Sequence, residues 1–396
     1  MHARPTSRTA NRRGSMVPAL AFALVVVGSA MALVFERLWQ DAARIELRTA
    51  AEAAALAAAQ RLCSDDTLRE DIDWRAYCDA ARQSAAQLAA ANLVGGAPLE
   101  LDAADDGDIR LGLELDNILG QRVFVESRHE PRIVRVQAWH GRGRNNAAGL
   151  LSRHLSGAGR LQTVAVEATA ANHIAGVRPL EGLNVPALPI ALHAGNLATG
   201  LVGWTGLIER RLGPDACGVD PHGRPLEGVS DGIPEMLAIS APYQADEKEQ
   251  LAATLHAIDV GAGLSGDILA AQCRLGWSLH DLESSGGELR CDGPEQTFAS
   301  TPKLPAALRA ELSAAIGQPR ICWLFDAAIP GRRSDECQLT CRRLVAIRIL
   351  GVQELPDGML AVRLQPAVVI TKTAIVAPGP DDRLANPYVS KVYLSR

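Results

Sequence analysis

Thiols are the groups in this chain best suited to chemistry. Its eight cysteines are Cys63, Cys78, Cys217, Cys273, Cys291, Cys322, Cys337 and Cys341, and none belongs to a C-x-x-C pair. A tetrahedral metal site needs closely spaced ligand pairs. Only Cys337 and Cys341 approach that spacing, with no second pair and no paired histidines, so no metal site is expected. In an exported chain an even count reads instead as disulfides. Cys63 with Cys78 is the best local pair and Cys273 with Cys291 the next, while Cys322 has two candidate partners, Cys337 and Cys341. The nine histidines form neither H-x-x-x-H nor H-E-x-x-H, and Ser265 in Gly263-Leu-Ser-Gly266 is one residue short of a G-x-S-x-G elbow. No catalytic residue is assigned.

Gly261-Ala-Gly263-Leu-Ser-Gly266 matches the G-x-G-x-x-G of dinucleotide loops, after the apolar run 255–260 and before a helical stretch at 267–275. His256 and Asp259 interrupt the run, and no alternating series of strands and helices surrounds it. The motif reads as a Gly-rich turn, and no cofactor is expected. Asp105-Asp106-Gly107-Asp108 reads as a solvated turn, since the other ligands a cation needs are not spaced around it.

The elements that would carry these groups begin with a membrane signal. Residues 1–15 hold Arg4, Arg8, Arg12 and Arg13 and no acid, and 16–35 (MVPALAFALVVVGSAMALVF) is a run of twenty residues without a charge. As a helix such a run is about 30 Å long, the thickness of a bilayer's hydrocarbon core. Arginines before it predict a cytoplasmic N-terminus and an exported bulk. Ala30-Met31-Ala32 also offers a small-x-small cleavage site, so a removed secretory signal is the rival reading. From 36 to 62 there is no Gly or Pro and Ala dominates, so one helix is expected over 17–62, about 70 Å long. Leu38, Ala42, Ile45, Thr49, Ala53 and Leu56 form its apolar stripe, with Asp41–Arg44 and Arg48–Glu52 pairing on the other side.

Beyond it, a helix is expected over 71–93 with Gly95-Gly96 past its end, and a hairpin over 99–116 around the acidic turn. Residues 174–250 are punctuated by Pro179, Pro186, Pro189, Pro214, Pro221, Pro225 and Pro234 and read as a loop-rich connection. Strands follow at 343–352, 359–364 and 367–375, with one clear helix at 304–316.

Arg12-Arg13-Gly14-Ser15, the apolar run and RTAAEAAALAAAQRL at 48–62 together resemble the N-terminal region of the Flp (tight-adherence) pilus-assembly TadE/TadG-like family. The strand IVRVQAWH at 133–140, a short helix at 150–155 and VAVEATA at 164–170 fit the same pattern, as do IGQPRI at 316–321 and LQPAV at 364–368. Two features depart from it. With cleavage after Gly14 the fifth mature residue would be Ala19 rather than the Glu of type IV prepilins, and no Asp-x-Ser-x-Ser loop is present for a von Willebrand A-type metal site. Cleavage after Gly14, cleavage after Ala32 and an intact anchor all remain open.

The reading is an α+β protein: a basic cytoplasmic segment 1–15, a transmembrane helix 16–35, a TadE/TadG-like pilin-type α+β domain 36–175, a Pro/Gly-rich connecting region 176–255 and a β-rich C-terminal domain 256–396. The resemblance implies a non-catalytic, single-pass component of a pilus or related envelope secretion apparatus in a bacterial inner membrane. Its partners would be membrane lipid and other pilin-like or pilus-assembly proteins. Forty basic against forty-five acidic residues, a net charge of −5, excludes nucleic acid as a partner. The alternative is an exported, membrane-tethered enzyme or ligand-binding protein with its site in 176–396.

Overall fold

The computed structural model describes residues 16–116, 121–140, 162–195, 203–240, 252–331, 336–355, 358–379 and 382–395. The four N-terminal arginines and the expected helix at 150–155 lie outside them.

Helix α1, Met16–Arg61, runs unbroken for 46 residues, about 69 Å at 1.5 Å per residue. Its single proline, Pro18, falls in the first turn, where a missing N–H breaks no intrahelical bond. Helix α2, Trp74–Ala90, folds back on α1, and the carboxylate of its N-cap Asp73 accepts from the Arg75 and Ala76 amides. It ends three residues before the expected 93. Leu93–Val94 instead pairs with Ala97–Pro98 in a small hairpin, whose turn uses the left-handed conformations of Gly95 (φ 59°) and Gly96 (φ 85°).

Strands β1 (Ile109–Asp116), β2 (Arg122–Glu126), β3 (Ile133–His140) and β4 (Gln162–Ala171) form an antiparallel sheet in the order β4-β3-β1-β2. The hairpin expected over 99–116 is absent. Only 109–116 is a strand, and it pairs forward with β2 and β3, because the acidic turn is bound into a loop by arginines. Alternate residues Val134, Val136, Ala138, Ala168 and Ala170 are buried in one cluster with the alanines of α1 and α2.

The remaining strands include β5 (Ile174–Val177), β6 (Ala187–His193), β7 (Met236–Ile239), β8 (Ala252–Ile258), β9 (Gln296–Thr301), β10 (Pro319–Pro330), β11 (Cys337–Glu354), β12 (Leu360–Pro366), β13 (Ala374–Val376) and β14 (Val389–Ser395), with helices α3 (Gly266–Leu275) and α4 (Ala306–Ala314). Six strands pair in a closed cycle, β7-β12-β11-β10-β6-β8 and back to β7, with β9 bridging β8 and β11. Closure leaves the ring no free edge. Its core holds Trp204, Trp277, Trp323 and Phe325.

Residues 176–255, expected to be a connection, supply β6, β7 and the start of β8. Every residue of β6 is buried, so its sequence shows no alternation. Pro189 lies within β6, opposite the irregularity in its pairing with β10, where a missing donor is tolerated. The strand expected over 367–375 is two short pieces in different sheets: Val369–Ile370 pairs with β14 and Ala374–Val376 with β5. β14 then pairs with β4, so the chain's last strand completes the first sheet.

Candidate functional site

Residues 16–31 and 33–35 of α1 are exposed, and Ala32 is half-buried. The most apolar eighteen-residue window of the helix has a mean hydropathy of 2.4 and no buried residue, which makes α1 long and apolar enough to cross a membrane. Beyond Phe35 the same helix becomes a packed strut. Ala43, Leu47, Ala50, Ala51, Ala54, Ala55, Ala58 and Ala59 are buried at three- and four-residue steps. With methyl side chains at these positions, α2 and the sheet approach the α1 backbone closely. The stripe anticipated from sequence is wrong by one to two positions. Leu38 (60% exposed) and Ile45 (67%) face outward with Ala42 and Thr49, while Ala53 and Leu56 are only half-buried. Reading the largest apolar groups as core fails here, because the packed positions are mostly alanines, with Leu47 among them. Of the two expected ion pairs, Arg48–Glu52 forms at 2.8 Å, but Asp41 bonds Arg37 rather than Arg44.

The C-terminal end of α1 is tied to both parts of the body. Arg61 donates to Ser64 Oγ (2.8 Å) and Asp66 Oδ2 (3.1 Å), and the Tyr77 hydroxyl donates to the Arg61 carbonyl at 2.8 Å. Asp65 pairs with Arg348 of β11 and accepts from the Val368 amide at 2.6 Å. Burial pushes the Asp65 carboxyl above the usual range, and the Arg348 guanidinium and the Val368 amide oppose that shift. Nothing in the sequence pairs residues 65 and 348.

All eight cysteines are free thiols. Cys63 and Cys78, expected to be bridged, have different partners: Cys63 bonds Ser390, and Cys78 Sγ donates to the Arg128 carbonyl at 3.4 Å. Cys273 lies in α3, and the Cys291 amide donates to the Ala175 carbonyl. The ladder of β10 with β11 places Cys322 opposite Val345, Cys341 opposite Phe325 and Cys337 opposite Pro330, so Cys322 faces neither expected partner. The even count carried no information about geometry, and the disulfides expected from it are absent. Burial raises the thiol pKa at each of these positions, to about 12 at Cys273 and Cys291, which keeps them protonated and poorly nucleophilic.

The Gly-rich motif does join a strand, β8, to a helix, α3, whose N-cap is Ser265. Its loop amides are already occupied, however. Asp259 Oδ1 accepts from Gly261 N (2.8 Å) and Gly263 N (2.7 Å), filling with a carboxylate the place a phosphate would take. In the acidic turn, Asp105 is held between Arg82 (2.7 Å) and Arg128, and the Asp102 amide donates to Asp108 Oδ2 at 2.8 Å. Among the described residues no three His, Cys, Asp or Glu side chains converge as metal ligands would.

One nucleophile–base contact escaped the sequence reading. Ser300 Oγ lies 3.4 Å from His256 Nδ1 and donates to the Cys337 carbonyl at 3.1 Å. Both residues are fully buried in the barrel, beside Phe325 and His193. The 44 residues between them follow no catalytic spacing.

Together these features define a protein with one span-length apolar helix carried into a mixed α+β body of several sheets. No protein-family model matches the chain, and neither does any curated protein or solved structure.

Proposed function

We propose that this chain is a non-catalytic, single-pass membrane component of a Flp/Tad-type pilus or a related envelope secretion apparatus, acting through helix packing and protein–protein contacts. In this reading its N-terminus is cytoplasmic, residues 16–35 cross a bacterial inner membrane and the body is exported. The observation that carries the proposal is the continuity of α1. One 46-residue helix leaves the apolar segment and enters the body without a break, with Leu38 and Ile45 exposed just beyond the segment. Such a helix transmits position from lipid to body as a rigid strut and offers a lateral face to neighbouring helices. The non-catalytic assignment is supported by the burial of the serine–histidine contact and by the raised pKa values of the thiols.

The test has two parts. A reporter fused after Arg396 should be active only in the exported compartment. A photo-crosslinking residue at position 38 or 45 should join the chain to other single-span, pilin-like subunits in intact envelopes. A cytoplasmically active reporter, or crosslinks to lipid alone at both positions, would refute the proposal.

A further inference from the structure

Among the described residues most arginines are paired with carboxylates, as Arg37, Arg48, Arg82, Arg135, Arg290 and Arg348 illustrate. One cleft departs from this habit. It lies where β13 passes the outer face of β14, has a volume of about 360 Å³, and is lined by Arg178, Lys372, Lys391, Thr373 and Tyr393 among others. Among the described residues three cations border it and no carboxylate does, in a chain whose net charge is −5. Among the described residues none of the three forms an ion pair: the Arg178 amide donates to the Thr373 carbonyl (2.8 Å), and the Lys391 ammonium donates to the Ala374 carbonyl (2.9 Å).

The first contact fixes the backbone that carries Arg178, and the second holds the Lys391 ammonium without neutralising it. The ammonium of Lys391 is bound by a dipole, which leaves two of its donors for another acceptor. Burial and the nearby Arg178 guanidinium both lower the Lys391 pKa, the response of a cation next to an uncompensated like charge. Burial raises the pKa of Tyr393, so its hydroxyl stays protonated as a donor. A second hollow of about 270 Å³ shares Val376 and Tyr393 with the first and is lined by Arg122, Arg132 and His173 together with Glu114, which pairs with Arg122, so the uncompensated charge belongs to the first hollow.

We propose that this cleft is a binding site for an oligoanion, a ligand presenting two or more phosphate or carboxylate groups to Arg178, Lys372 and Lys391. One oxyanion would satisfy only part of so many donors, whereas two set along the shared trough would engage the guanidinium and both ammonium groups. The inference is independent of the pilus proposal and of membrane orientation.

Calorimetric titration of the full-length protein in a non-ionic detergent tests it, with sodium tripolyphosphate and tricarballylate as separate probes. In about 50 mM salt at least one probe should bind saturably, and raising the salt to about 300 mM should weaken it, because exposed charges are screened. Lys372→Glu should lower affinity about tenfold or more, as should Arg178→Gln, given the strength of charge-assisted bonds. Lys372 is exposed, so its reversal should leave the unfolding midpoint unchanged. Arg224→Gln, remote in the chain and outside both hollows, should bind as the wild type does. Response to tripolyphosphate alone would identify a phosphoryl ligand, to tricarballylate alone a carboxylate ligand, and to both a general oxyanion site. Absence of saturable binding by either probe would overturn the proposal, as would equal weakening by Arg224→Gln and Lys372→Glu.

Discussion

Acidification should destabilise the barrel through one side chain. His193, at the end of β6, is 4% exposed, and burial lowers its pKa from 6.5 to about 4. The folded protein therefore keeps His193 neutral in a range where the unfolded chain takes up a proton. Between pH 6.5 and 4 the unfolded state binds more protons, so stability falls as the pH falls. A shift from 6.5 to about 4, at 1.36 kcal/mol per pH unit, corresponds to a loss of about 3 kcal/mol by pH 4 relative to pH 8. The assay is guanidinium unfolding of the full-length protein in detergent at a series of pH values. It would be followed by fluorescence, because Trp204, Trp277 and Trp323 are fully buried in the same core. The comparison is His193→Gln, which removes the titration and so should flatten the fall between pH 6.5 and 4 by about one proton, whatever it costs at pH 8. Equal slopes in the two proteins would refute the argument and remove His193 as the acid-sensitive group.

Three further outcomes are expected. Ala55→Leu inserts three carbons at a fully buried position of α1 and should destabilise the body by about 1–3 kcal/mol, read from the same unfolding curves at pH 7. Asp65→Asn leaves the largely buried Arg348 without its counter-charge and should cost about 2–3 kcal/mol, less than a fully buried pair because Asp65 is partly exposed; limited proteolysis should then cut the 62–73 segment faster than in the wild type. Gly276→Ala should cost about 1–3 kcal/mol, because the residue has φ 80° and an added Cβ would stand 2.0 Å from the Val185 carbonyl oxygen, and thermal unfolding would detect it.

Legibility from sequence followed the range of the interactions. The span-length helix, α2 and α4 were visible because their causes are local: a run without charge, a capping Asp73, a periodic stretch bounded by Pro305 and Gly317. The strand at 133–140 was visible because alternation survives where one face is open, and the strand at 164–170 was expected only from the family resemblance. The barrel was not. Its strand β6 is buried on every side and carries a proline, which together imitate a loop. The Asp65–Arg348 pair spans 283 residues and the His256–Ser300 contact 44, and no pattern search reaches across either. The basic cleft draws Arg178 and Lys391 from widely separated parts of the chain, so each looks like an ordinary surface cation in the sequence.

The misplaced stripe on α1 shows how one helix serves two surroundings. An alanine helix has nearly the same apolarity on every face, so its few large residues dominate any periodic reading. Here Leu38 and Ile45 belong to the exposed side of the strut, and the packed side consists mostly of methyls, with Leu47 among them. The change of surroundings falls at Glu36 and Gln40, the first acid and the first amide side chain after the apolar segment. Gln40 Nε2 donates to Glu36 Oε1 at 3.0 Å, and both residues are buried on the side of α1 that continues into the alanine stripe. A bonded polar pair one turn apart lets a helix leave an apolar phase without exposing an unsatisfied carboxylate at the boundary. The same face then passes from polar bonding at 36 and 40 to close packing from 43 onward. Phe35, Leu38, Ala42 and Ile45 are exposed on the other side of the helix, beside the Arg37–Asp41 pair, so a lateral partner would meet α1 on a different side from the one the body uses.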